Sequence, residues 1–238
     1  MTDAPQLSEQ DLEQLERSLS SLEQHLADGD VAGARSALAV AEELAGERDP
    51  DVAYGRALIA LEEGRLDDAI DELTLALDQD PDFADAHYTL ALALEKQGDR
   101  LGMVRHFLCT HALDREVEDE VIGEGVLERI EQTVRRTIDG LPPELRVPLS
   151  DVPIVLESRP SEDQVANGED PRALGLFDGP PQGQRDVPQP TRIVLFVGNL
   201  ITSFAGEELD AEVETTVLHE LGHYFGLEED DLRRLGLE

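Results

Sequence analysis

The residues best suited to chemistry stand near the end of the chain. His219-Glu220-Leu221-Gly222-His223 sets two imidazoles four positions apart, with an acid directly after the first. On a helix, residues at this spacing stack on one face. Two such rings can hold one metal ion, and Zn²⁺ accepts imidazole nitrogen at about 2.0–2.1 Å. Glu220 then lies within reach of a metal-activated water and can take its proton. The chemistry implied is metal-assisted hydrolysis. The surroundings suit it. A helix is predicted over about Asp210–Phe225, Gly226 can end it with a positive φ, and the acids Glu228–Asp231 follow at once.

Other candidates carry less. His106, Cys109 and His111 cluster on a predicted helix, but their spacing shares no single face well, and ordinary packing is the simpler reading. His25 and His87 stand alone. Acid pairs such as Asp67–Asp68 read as solvated faces. Tyr224, after the second motif histidine, could stabilise an oxyanion or pack beneath the helix.

Strands should hold the motif helix in place. Val152–Glu157 (VPIVLE) and Thr191–Ile201 (TRIVLFVGNLI) are apolar and β-branched, and the second is the clearest strand in the protein. Between them, residues 158–190 carry six of the thirteen prolines. A loop of this length is usually functional. The apolar stretch at Leu174–Phe177 inside it is expected to be a short strand. One amphipathic helix is predicted over 122–140, ended by Gly140 and then Pro142 and Pro143. This half is therefore α+β.

The first half repeats. Gly29, Gly64 and Gly98 recur every 34 to 35 residues, each between two Leu/Ala-rich helical patterns. Tyr54, Ala57, Leu58 and Leu73 fall in register with Tyr88, Ala91, Leu92 and Phe107. Ala34, Leu38 and Ala41 match Ala69, Leu73 and Ala76. Pro50 and Pro81 are expected to close their units. The pattern resembles the tetratricopeptide (TPR) family. Residues 50–83 form the best unit; 84–116 is degenerate, with Met103 and Thr110 where Ala is usual, and the unit near 10–49 is weaker. The resemblance implies a concave face lined by the first helix of each pair, where Tyr54 and Tyr88 share a register. They read either as core or as aromatic anchors of a groove for a protein partner. TPR domains that grip chaperone C-terminal carboxylates place Lys and Asn there, and this chain has Tyr and Leu.

Composition narrows the classes further. The 238-residue chain has a formal charge of −35, with acids in excess in both halves. That argues against a nucleic-acid backbone partner and against an anionic membrane surface. Hydrophobic residues make up 40%, enough for packed cores, although aromatics are only 4%. A single cysteine, Cys109, excludes an internal disulfide. The acidic start shows no secretory signal and no stretch is long enough to span a bilayer, so a cytoplasmic protein is expected.

Residues 118–238 resemble the compact bacterial zincin-like metallopeptidases. The features carrying this are LPPEL at 141–145, the VPIVLE strand, ALGLFDG with its Pro-rich run, the IVLF strand and TTVLHELGHYFGLEEDDLRRLGL. The resemblance implies a zinc-dependent peptidase fold with His219 and His223 as ligands and Glu220 as general base. Thermolysin-like zincins take a third ligand roughly twenty residues beyond the second histidine, which would pass Glu238. Metzincins use HExxHxxGxxH. In that register Gly226 is the turning glycine and Glu229 stands where the third histidine would be. The compact family usually has an acid there, so the implied metal set is His219, His223 and Glu229. Asp230 is the neighbouring alternative, and a solvated surface run is another. The metzincin Met-turn has no counterpart.

The expectation is thus a multidomain protein: an all-α TPR-like repeat domain over 1–116 and a small α+β zincin-like domain over 117–238. It would hydrolyse a peptide or protein substrate, which could add a strand to an edge of Thr191–Ile201. The competing expectation is a TPR-like interaction scaffold carrying a metal-stabilised or inactive zincin module.

Overall fold

The computed structural model describes residues 7–117, 123–180 and 191–236. The chain divides into two compact units, Met1–Asp114 with Ala166–Gly168, and Arg115–Val165 with Glu169–Glu238.

The first unit is built from helical hairpins: α1 (Glu9–Ala27) with α2 (Val31–Ala45), α3 (Pro50–Glu62) with α4 (Leu66–Gln79), and α5 (Ala84–Gln97) with α6 (Arg100–Val117). The three periodic glycines are the turns. Gly29, Gly64 and Gly98 have φ of 72°, 72° and 87°. At each, the next residue's N–H donates five residues back, as from Arg65 to the Ala60 carbonyl at 2.8 Å. This 6→1 bond is the Schellman closure, which satisfies carbonyls that the helix end would leave unpaired.

The small residues of the repeat are interior. Ala34, Ala41, Ala57, Ala69, Ala76 and Ala91 are all fully buried. Their short side chains let paired helices approach, while Leu73 and Phe107 fill equivalent places. In the degenerate unit Thr110 is buried, and its hydroxyl donates to the His106 carbonyl at 3.1 Å. Pro50 departs from expectation. It opens α3 at the first helical position under an Asp49 cap rather than closing the unit before it. A missing N–H costs nothing there, because that donor has no helical partner anyway.

The second unit contains α7 (Glu124–Gly140), the short helix α8 (Pro143–Arg146), a 3₁₀ turn (Val147–Asp151), β1 (Ile154–Glu157), α9 (Glu162–Ala166), β2 (Gly175–Asp178), β3 (Arg192–Phe196), α10 (Val197–Ser203), α11 (Gly206–Tyr224) and α12 (Glu229–Leu235). The sheet order is β1-β3-β2, with β1 parallel and β2 antiparallel to β3. Ile193, Leu195, Leu200, Val213, Val217 and Tyr224 form its core, with Ile130 packed in from α7.

Two expectations fail here. The strand foreseen over Thr191–Ile201 stops at Phe196, and Val197 onward is helix. Polar tertiary bonds hold the chain in that turn: Asn199 Nδ2 donates to the Pro171 and Ala173 carbonyls at 3.0 and 2.6 Å, and Arg159 donates to Asn199 Oδ1 at 2.8 Å. Nor does β3 offer an edge, since it is the middle strand with both sides paired. The edges belong to β1 and β2. The Pro-rich end of the long excursion, residues 181–190, and the first position of the helix foreseen over 122–140 lie outside the described residues.

Candidate metal centre

Helix α11 buries Leu209, Val213, Val217 and Leu221 along one side, which turns the motif histidines toward a cavity of about 430 Å³. The four-residue spacing brings their rings to 4.7 Å between centroids and their Nε2 atoms to 3.0 Å. The Nδ1–H of His223 donates to the Leu227 carbonyl at 3.2 Å, so Nε2 presents a lone pair to the cavity.

The chain reverses directly after α11. Gly226 has φ 83°, and the Leu227 N–H donates back to the Gly222 carbonyl at 2.9 Å. This is the same closure as in the helical hairpins. It brings the first turn of α12 over the histidines. Glu229 Oε1 lies 3.2 Å from His223 Nε2 and 3.9 Å from His219 Nε2. Among the described residues, His219, His223 and Glu229 are the one set of three potential ligands whose atoms converge, all within 4.8 Å of one another. The donors suit zinc chemically. Ligands at about 2.0–2.2 Å in a tetrahedron stand roughly 3.3 Å apart, close to these separations. Asp230 and Asp231 are engaged elsewhere, bonded to Arg233 at 2.8 Å and Arg234 at 3.0 Å.

Glu220 faces the same cavity from below and is 6% exposed. Burial pushes its carboxyl above the ordinary range. The two histidines and the Phe177 backbone N–H oppose that shift, and Glu229 adds to it. Strand β2 passes very near. A Cβ on Gly175 would meet Thr216 Cγ2 at 2.7 Å and Glu220 Oε1 at 3.0 Å, so only glycine lets the strand lie there. Sequence reasoning missed Gly175; its signal was a glycine inside a short apolar run. Gly222 answers a similar need on the other side, since a Cβ there would sit 2.3 Å from Leu232 Cδ2 of α12.

Tyr224 takes the packing role. Its ring is buried, and its hydroxyl donates to the Pro148 carbonyl at 3.1 Å. His106 does not gather a metal set with Cys109 and His111. It pairs with His87, Nδ1 to Nδ1 at 2.8 Å, so His87 does not stand alone. His25 also has a partner, Asp30 at 3.0 Å. Tyr54 and Tyr88 are half-buried and contact Phe83 and Phe107, with ring centroids 5.0 and 6.0 Å apart.

Comparison with known proteins finds two family matches, one in each half of the chain. The zincin-like metallopeptidase family matches residues 149–237, and a TPR repeat matches residues 55–98. The chain therefore joins a TPR repeat region to a zincin-like metallopeptidase domain. No curated protein matches it. The zincin match begins after α7, so the LPPEL turn precedes the matched region. The TPR match runs from within α3 to the end of α5. Among the described residues, no helix is long and apolar enough to cross a membrane.

Proposed function

We propose that the chain is a zinc-dependent metallopeptidase in which His219, His223 and Glu229 hold the ion and Glu220 is the general base. The observation that carries this is the convergence of the three donors on the cavity that also receives the buried Glu220. A zinc ion held there supplies Lewis acidity toward a carbonyl and makes a water easier to deprotonate. Glu220 takes the water proton on a carboxylate oxygen and passes it to the departing amine nitrogen. The Phe177 N–H steadies that carboxylate. An extended peptide would lie along the outer edge of β2, adding a strand to the sheet. The helical unit would dock the substrate or a protein partner.

Metal analysis of the purified chain tests the site. One zinc per chain is expected, abolished by His219→Ala or His223→Ala. Glu229→Ala should weaken it by more than about a hundredfold, beyond what loss of an outer partner does. Glu228→Ala and Asp230→Ala should change it little. Glu220→Gln should keep the metal and lose cleavage in a screen of proteome-derived peptides. Full zinc occupancy in the double histidine variant, or turnover surviving Glu220→Gln, would overturn the assignment. Zinc binding with no peptide cleaved by the wild type would favour the scaffold reading instead.

A further inference from the structure

The sheet of the zincin unit has a second free side, at the end opposite the metal cavity. Its order β1-β3-β2 leaves β1 as an end strand, and among the described residues nothing pairs with the outer side of β1. The register shows which backbone groups face outward. Ile154 is the partner of Ile193, whose N–H donates to the Pro153 carbonyl at 3.0 Å. In a parallel ladder the residues flanking Ile154 therefore point their groups at β3, and those of Ile154 and Leu156 point away. The outward row is short. The Val152 N–H already donates to the Leu149 carbonyl, and the Ser158 carbonyl accepts from Gly198. Such an edge is a template for one more strand.

The same two residues turn their side chains toward α7. Ile154 and Leu156, with Val134 and Ile138 of α7, line a groove of about 450 Å³, and all four are only half-buried. Arg135 stands exposed in the groove's lining between Glu131 and Asp139, each about one helical turn away. Among the described residues its guanidinium has no bonded partner. Arg129 and Arg136 of the same helix are bonded to Asp210 and Thr133.

We propose that β1 and the groove beside it form an isologous interface between two copies of this chain. A two-fold axis normal to the sheet through Val155 sets β1 antiparallel to its counterpart. Ile154 then stands opposite the other copy's Leu156, and each such pair exchanges both its N–H···O bonds. A slip by two residues would bring Val152 or Ser158 into a bonding place, where the N–H of the first and the carbonyl of the second are already engaged. The axial register satisfies every outward group. On the α7 face the apposed isoleucine and leucine form cross-strand pairs, and the two grooves become one. The axis also sets the two α7 helices antiparallel. A row of acid, arginine and acid is complementary to its own reverse when offset by one turn, so each Arg135 gains a carboxylate of the other copy. Strand β2 lies at both outer ends of the joined sheet, which leaves each metal cavity open.

Sedimentation velocity of the full-length chain over a concentration series should show a monomer–dimer equilibrium. Near physiological salt, repulsion between the acidic copies is screened beyond about 8 Å, but a contact pair is not. Hydrogen exchange at the Ile154 and Leu156 N–H groups should slow as concentration rises, while Val155 and Glu157, which face β3, keep their rates. Leu156→Pro removes an outward donor that the single chain does not use, and should abolish the dimer. If that variant fails to fold, Arg135→Glu, exposed and off the strand, should weaken dimerisation about tenfold, because two symmetric attractions become repulsions. Adding Glu131→Arg and Asp139→Arg should restore it. Val155→Cys in a Cys109→Ser background should oxidise to a linked dimer, since residues opposed in a non-hydrogen-bonded pair have Cα atoms about 4.5 Å apart, within disulfide reach. A chain that stays monomeric throughout, or a dimer indifferent to Arg135→Glu and not linked through position 155, would overturn the proposal. Protection of Ile154 and Leu156 only on adding an unrelated peptide would assign the edge to a foreign strand and refute the second copy.

Discussion

His87 and His106 meet across two helices of the repeat. With its Nε2–H donating to the Pro81 carbonyl at 3.0 Å, His87 offers Nδ1 as acceptor to the Nδ1–H of His106. Burial, then the charges of His87 and Arg105, push His106 down to about 4. The unfolded chain therefore binds this proton below about pH 6.5, while the folded chain binds it only below about 4. Stability contributed by the neutral ring is fully present above 6.5, falls as pH drops through that window, and is lost below 4. Denaturant midpoints of wild type and His106→Gln, followed by helical circular dichroism from pH 7 to 4, should show the steeper acid loss in wild type. Parallel curves would contradict this. The pair was not legible in the sequence, because its members lie 19 residues apart and meet only once hairpins stack. The clustering of His219, His223 and Glu220 was legible for the opposite reason, since one helix sets all three. Glu229 needed only the turn at Gly226. Gly175 belongs with the first kind: its neighbour Glu220 is far along the chain.

At the scale of elements, α12 packs on the HExxH helix through a missing side chain. Gly222 within a helix should cost about 1 kcal/mol relative to alanine on propensity alone. Replacing it places a methyl 2.3 Å from Leu232 Cδ2. Overpacking of this kind costs about 1–3 kcal/mol. Gly222→Ala should therefore destabilise the zincin unit by about 0–2 kcal/mol on balance and, by displacing Glu229, weaken zinc retention against a chelator. A variant more stable than wild type with unchanged zinc affinity would show that α12 does not rest on this contact. Apolar runs mark elements but do not distinguish their kinds. TRIVLFVGNLI reads as one strand because β-branched residues fill it, yet a buried strand and a buried helix turn share that composition. What divides them is Asn199, whose three bonding partners come from the preceding excursion. The repeat units, by contrast, were legible to within a few residues, because turn glycine, small interior residues and bulky partners recur together.

Over the whole molecule, the two units draw on separate cores. A ligand that binds only the folded zincin unit stabilises that unit by mass action, about 2.7 kcal/mol when free ligand is a hundred times its dissociation constant. Scanning calorimetry with hydrogen-exchange mapping should show zinc slowing exchange in α11 and β2 while α3 and α4 exchange as before. Equal protection of both units would mean that they unfold as one. The excess negative charge sets a common background, since every partner of either unit approaches the same acidic field. The units also share a device of handedness. Gly64 and Gly226, φ 72° and 83°, turn the chain the way a mirror-image residue would. At Gly64 a Cβ would meet nothing within 4 Å, so there the obstacle to alanine is the chirality of the amino acid, not lack of room. L-alanine at Gly64 should destabilise by about 1–2 kcal/mol. D-alanine, introduced by chemical ligation, should instead stabilise by about 0.4–1 kcal/mol, because it narrows the freedom of the unfolded chain without straining the folded one.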